Sequence, residues 1–176
     1  MSFPSARRGA ADVCLWLSIV GMAISVGGQA FQMLVVDPVW TASPPESIRA
    51  FSGTPFPASL TRFHQNPFIL VGAVGGLLGA LILNWKVPTL RNWILPAVGI
   101  EALVILGTYF YVYPINDVLF VHFGGGLDSI AIKTMTQQWL VADRIRFVLK
   151  LTVFLCLLRA LSLPGGSTAK GAPAQL

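Results

Sequence analysis

The densest group of chemically capable side chains lies near the C-terminus, where Trp139, Asp143, Arg146 and Lys150 follow one another at i, i+4, i+7 and i+11. At about 100° per residue these four share one helix face, and Arg144 points nearly the opposite way. An acid, two cations and an indole therefore share one stripe. Ionisable groups at membrane depth are costly and turn inward, so the stripe reads as a polar pocket. The plainer reading is an Asp143–Arg146 ion pair, with Trp139 as an interface anchor and Lys150 snorkelling. Glu101 lies in another apolar stretch and needs a partner: Lys150 reaches a comparable depth, and a neutral, protonated Glu101 is the alternative.

Gln29, Gln32, His64, Gln65, Asn66 and Asn116 all fall at the ends of apolar runs, at the same level as Asp143 and Arg146. That convergence makes the case for a site. Taken alone, His64 reads as an interfacial histidine and Asn66-Pro67 as a helix start, Asn capping and Pro first. His122 has no metal-type spacing to His64, and Gly124-Gly125-Gly126 lacks the strand and helix flanks of a nucleotide loop. No metal site is expected. Cys14 and Cys156 sit inside apolar runs without a CxxC and read as packing residues.

The elements that must hold these residues are membrane spans. Of the 176 residues 55% are apolar and 11% charged, against about 45–50% and about 25% in soluble domains. Four stretches are long enough to cross a hydrocarbon core: 13–36, 67–85, 93–112 and 141–163. A turn containing Pro88 joins the second to the third as a hairpin, and the first and third connections are long, the first with a short helix around 46–51. Arg7, Arg8, Lys86, Arg91, Arg159 and Lys170 fall on one side. The long connections hold Arg49, Arg62 and Lys133 against Asp37, Glu46, Asp117 and Asp128, so both termini are expected in the cytoplasm. The net charge of +5 then reports topology, and no nucleic-acid partner is expected. Arg7-Arg8 with the apolar stretch behind it also resembles a signal peptide, but the run continues through Phe31–Val36 into a full span. Gly72, Gly75, Gly76 and Gly79 give overlapping small-xxx-small spacings for close helix approach. The expectation is an all-α four-span bundle over residues 1–163, integral and multi-pass, with a disordered tail at 164–176.

Phe63-His64-Gln65-Asn66-Pro67-Phe68, Pro114-Ile115-Asn116, and Trp139 followed by Asp143 and Arg146 resemble, in order and placement, the anthrone oxygenase-like family of small four-helix membrane proteins. The resemblance runs over nearly the whole chain. It departs at Asp143, where the family usually has a neutral Asn or a His. The resemblance implies a cofactor-independent oxygenase acting with O2 on a polycyclic aromatic, with neither metal nor flavin. On that reading Asp143 or His64 is the base, Arg146 stabilises the oxyanion and Asn116 orients the carbonyl. Trp139, Gln65, Asn66 and Gln32 are the substrate-binding set. A different class also fits, a non-catalytic accessory or lipid/quinone-binding subunit of a larger membrane complex. Either way the partners are lipids and a hydrophobic aromatic or lipid-like small molecule, in a homo-oligomer or a complex subunit. A transporter is disfavoured, because no inverted repeat or broken-helix pair is visible.

Overall fold

The computed structural model describes residues 5–122 and 126–163. The tail at 164–176, with Lys170, and Gly124 and Gly125 lie outside them. Among the described residues the regular structure is entirely helical. Helix α1 covers residues 5–40, as Ser5–Phe31, a wide π turn at Gln32–Val36 and a last α turn at Asp37–Trp40. Two short helices follow, α2 (Glu46–Ser52) and α3 (Phe56–His64). Helix α4, residues 67–83, contains a π turn at Val71–Gly75, and α5 (Pro88–Val121) contains two, at Thr108–Val112 and Asp117–Val121. Helix α6 is Ser129–Ser162.

Local chemistry sets these limits. Asn66 caps α4, its side chain accepting from Phe68 N at 2.9 Å with Pro67 as the first helical residue. Asp128 caps α6 through Ala131 N at 2.7 Å, far ahead of the expected start at 141. Pro88 opens α5 instead of lying within a turn, which moves the hairpin back from 86–92 and starts the third apolar helix before 93. Asp37-Pro38 and Tyr113-Pro114 do not end their helices as the sequence suggested. Each proline lacks an N–H and crowds the carbonyl four residues back, and the π turn just before each absorbs that conflict. The helices therefore run on to Trp40 and Val121.

Ala6–Trp40, Phe56–Leu83 and Pro88–Val121 are long and apolar enough to cross a membrane. The two longer ones have 35 and 34 residues, about 50 Å of helix against a hydrocarbon core of about 30 Å. Helix α6 is equally long but carries Asp143, Arg144, Arg146, Lys150 and Arg159. Its exposed positions include Val141, Ile145, Val148, Leu155, Leu158 and Leu161, together with Arg144 and Arg159.

Helix α1 packs on α4 and α6, and α5 packs on α6 and α4. The glycines of α4 explain the closest of these approaches. A Cβ at Gly76 would lie 2.8 Å from Ser18 N and 2.9 Å from Cys14 O, and one at Gly72 3.1 Å from Leu17 O. Gly21 is equally tight against Ala73, so backbone meets backbone along the α1–α4 seam. Two apolar cores result. One joins Leu15, Met22, Leu77, Ile94, Val153 and Leu157; the other joins Val36, Trp40, Ile48, Val112, Leu119 and Trp139. Between them along α1, α5 and α6 lies a polar band.

Candidate functional site

The band forms because three helices keep a 3-4 spacing of inward positions while changing chemistry halfway along. On α6 the inward series is Ile132, Thr136, Trp139, Asp143, Arg146, Lys150, Val153, Leu157 and Ala160. On α1 it includes Ser18, Met22, Ser25, Gln29, Gln32 and Val36, and on α5 Ile94, Ala97, Glu101 and Val104. Such spacing holds a seam against neighbouring helices whatever the side chains are. The polar members are removed from solvent: relative exposure is 0% for Gln29, 1% for Asp143, 7% for Glu101 and 9% for Lys150.

At the centre, Gln29 Nε2 donates to Asp143 Oδ1 and to the Asp143 carbonyl, both at 3.0 Å. Arg146 Nη1 lies 3.4 Å from the same Oδ1. Lys150 Nζ donates to Ser25 Oγ at 2.9 Å, not to Glu101. The expected Glu101–Lys150 ion pair is not made, because the two side chains are matched in depth but Lys150 turns toward α1. The carboxylates of Glu101 and Asp143 still lie within electrostatic reach of Lys150. Two acids and two cations thus share the band with no formal excess of either sign.

One turn nearer the second apolar core, His64 Nε2 donates to Gln32 Oε1 at 2.9 Å, which leaves Nδ1 with the lone pair. The neighbouring Phe63 ring covers Gly28, where a Cβ would have to push the ring aside. Asp37 is buried against Trp40, whose indole N–H donates to Oδ1 at 3.1 Å. A cavity of about 260 Å³ opens beside it, between α1 and α6, lined by Met33, Asp37, Pro38, Thr41, Leu140 and Arg144.

Four atoms in the centre have no hydrogen-bond partner among the described residues. They are Gln29 Oε1, Asp143 Oδ2, Glu101 Oε2 and Arg146 Nε. Buried polar atoms are normally satisfied by protein, ordered water or a ligand, so these four atoms make the band the candidate site.

The structure brings Asp143, Arg146, Gln29 and Lys150 together and places the His64–Gln32 pair above them. Trp139 is buried in the second apolar core, edge-on to Trp40 with ring centroids 5.0 Å apart. Its indole N–H donates to Asn116 Oδ1, so these two residues engage each other. Gln65 and Asn66 are exposed; Gln65 meets Tyr113 OH at 3.5 Å and Asn66 serves as the helix cap, so neither joins the band. His122 is held at Asp117, and no metal-sized group of three or more His, Cys, Asp or Glu occurs among the described residues.

Sequence reasoning missed Asp37 and Ser25. The sequence places Asp37 in the first long connection, just past the apolar run that ends at 36. Ser25 belongs to the series Ser18, Ser25, Gln29, Gln32, a small-polar stripe that could have been found by the same spacing that revealed the α6 face. No family model, curated protein or solved structure matches the chain.

Proposed function

We propose that the chain is a four-span integral membrane protein with both ends cytoplasmic, and that its interior polar band binds and oxidises an anthrone-type polycyclic aromatic with O2. The exposed apolar residues of α6, Val141, Ile145, Val148, Leu155, Leu158 and Leu161, support a fourth span although Arg144 and Arg159 are exposed among them. One end of the bundle gathers the cations: Arg7 donates to Leu83 O, Arg91 stacks 5.5 Å from Trp85 and Arg159 5.9 Å from Trp93. That end suits the cytoplasmic face.

The observation that carries the chemical reading is the carboxylate of Asp143, fixed through Oδ1 by Gln29 and Arg146 while Oδ2 stays unpartnered. An anthrone has an acidic CH2 between aromatic rings. Asp143 Oδ2 takes one of its protons, and the negative charge moves to the delocalised substrate, so the band keeps its charge balance. Arg146 and Lys150 face the new oxyanion in a water-poor interior, where such contacts are strongest. Electron transfer to O2 and recombination give a peroxide anion on that carbon, which takes the proton back from Asp143 as a hydroperoxide; loss of the remaining C–H proton with cleavage of the O–O bond releases water, so CH2 and O2 become C=O and H2O with no net proton gained or lost. His64, with its ring fixed by Gln32, is the alternative base to Asp143. The lateral cavity beside Asp37 and Arg144 offers the route from lipid.

A second reading, a binding subunit for a lipid or quinone without turnover, draws support from Asn116 and Trp139 being engaged with each other. Oxygen uptake separates the two. The purified, metal-stripped protein is expected to consume O2 with a simple anthrone, and Arg146→Ala to slow turnover by about 10²-fold or more. Uptake no faster than the spontaneous rate, or full turnover by an equally folded Arg146→Ala protein, refutes the oxygenase.

A further inference from the structure

The orphaned atoms of the band are unequal in kind. Gln29 Oε1, Asp143 Oδ2 and Glu101 Oε2 can only accept when the acids are ionised, and Arg146 Nε can only donate. Glu101 is the least explained of them. It sits in the middle of α5 at 7% exposure, its natural partner Lys150 is committed to Ser25, and no donor from the described residues meets its Oε2. Neither helix capping nor surface solvation accounts for a carboxylate there. Lys150 and Arg146 both lie within electrostatic reach of it, which ties it to the Asp143 centre.

We propose that the Glu101 carboxylate forms a hydrogen-bond-accepting subsite in the floor of the band, where a ligand must present an O–H or N–H donor. The inference rests on the reading of the band as a ligand site, and adds α5 to the helices that contact the ligand. Its chemistry is selective. A donor-bearing ligand satisfies an acceptor that is otherwise stranded, whereas a ligand of the same shape offering only ether or carbonyl oxygens leaves it unpaired. Sites built around buried hydrogen-bonding groups discriminate far more sharply than apolar pockets do. The subsite also fixes depth. It lies against the first apolar core, where Met22, Ile94 and Val153 close the bundle, so a ligand bound there reaches no further inward.

The test compares 1,5-dihydroxynaphthalene with 1,5-dimethoxynaphthalene, binding to the full chain in lipid nanodiscs by probe fluorescence under nitrogen. The diol is expected to bind about tenfold or more tighter than the diether. Glu101→Leu, which removes both acceptor oxygens, is expected to weaken the diol by about tenfold and to change the diether less than about twofold. Glu101→Met provides the same contrast if Glu101→Leu melts abnormally. Equal affinity for the two probes, an unchanged preference in a folded variant, or binding of neither overturns the proposal; the last outcome would mean that water alone meets these atoms. A preference for the diol without oxygen uptake keeps the subsite and removes the oxygenase. Oxygen uptake with no preference does the reverse.

Discussion

Replacing Asp143 by Leu should destabilise the bundle, and removing Arg146 with it should restore most of the loss. Asp143 is 1% exposed and accepts from Gln29 at 3.0 Å while Arg146 Nη1 stands 3.4 Å away. Without the carboxylate, the guanidinium and the Gln29 amide both face an apolar side chain, and the band carries one positive charge too many. Breaking a buried pair costs about 3–5 kcal/mol. The Arg146 side chain retains 14% exposure and can shift toward the rim, which argues for the lower end, about 3 kcal/mol. For a chain of this size that is a fall in Tm of about 6–12 °C. Exchanging both partners for apolar residues of similar volume is close to neutral, so Asp143→Leu/Arg146→Leu should melt within about 4 °C of the parent. Thermal unfolding of the detergent-solubilised full chain, followed by near-ultraviolet circular dichroism, measures all the required variants. A double variant that loses the sum of the two single losses refutes charge balance as what holds the band together.

Two further outcomes follow from the packing. Gly76→Ala should lower stability by about 1–3 kcal/mol, because its Cβ would meet backbone atoms of Cys14 and Ser18 that cannot turn aside; Gly99→Ala, with nothing within 4 Å, should raise it by about 0.5–1 kcal/mol. Melting shifts of the same sign for both would contradict the α1–α4 seam. Trp139→Phe keeps a ring against Trp40 but loses the N–H that Asn116 accepts, at a cost of about 1 kcal/mol. Asn116→Ala added to it should cost little more, and strict additivity in the double-mutant cycle would show that the bond contributes nothing.

The inward face of α6 was legible because a 3-4 spacing of unlike side chains points one way whatever the helix packs against. The all-helical class followed from composition, and the Asn66-Pro67 start from capping chemistry. Helix limits were less legible. Asp37-Pro38 and Tyr113-Pro114 look like stops, and only the preceding π turns, which depend on packing around them, let the chain continue. Pairings were least legible of all. Depth can be counted from sequence, but the rotation of one helix about its axis against another cannot, and that rotation gave Lys150 to Ser25 and left Glu101 without it. Asp37 was hidden by the helix limit instead: α1 runs on to Trp40, whose indole N–H one turn later donates to the Asp37 carboxylate.

The position of the band between two apolar cores has a physical consequence for what it can do. The first core is closed by residues such as Met22, Ile94, Val153 and Leu157, each with no exposed surface, so it blocks water and ions from the end where Arg91 and Arg159 stack on tryptophans. The second core is interrupted by Asp37, by the His64–Gln32 pair and by the cavity beside Arg144. Three of the π turns, at 32–36, 108–112 and 117–121, also fall within it or at its edge. Wide turns loosen the backbone ladder at functional sites in helices. Apolar side chains close one end of the helical assembly, and polar groups and wide turns interrupt the other, so any approach to the charged centre is easier from the second end. That asymmetry favours a site entered from one side over a path running through the assembly.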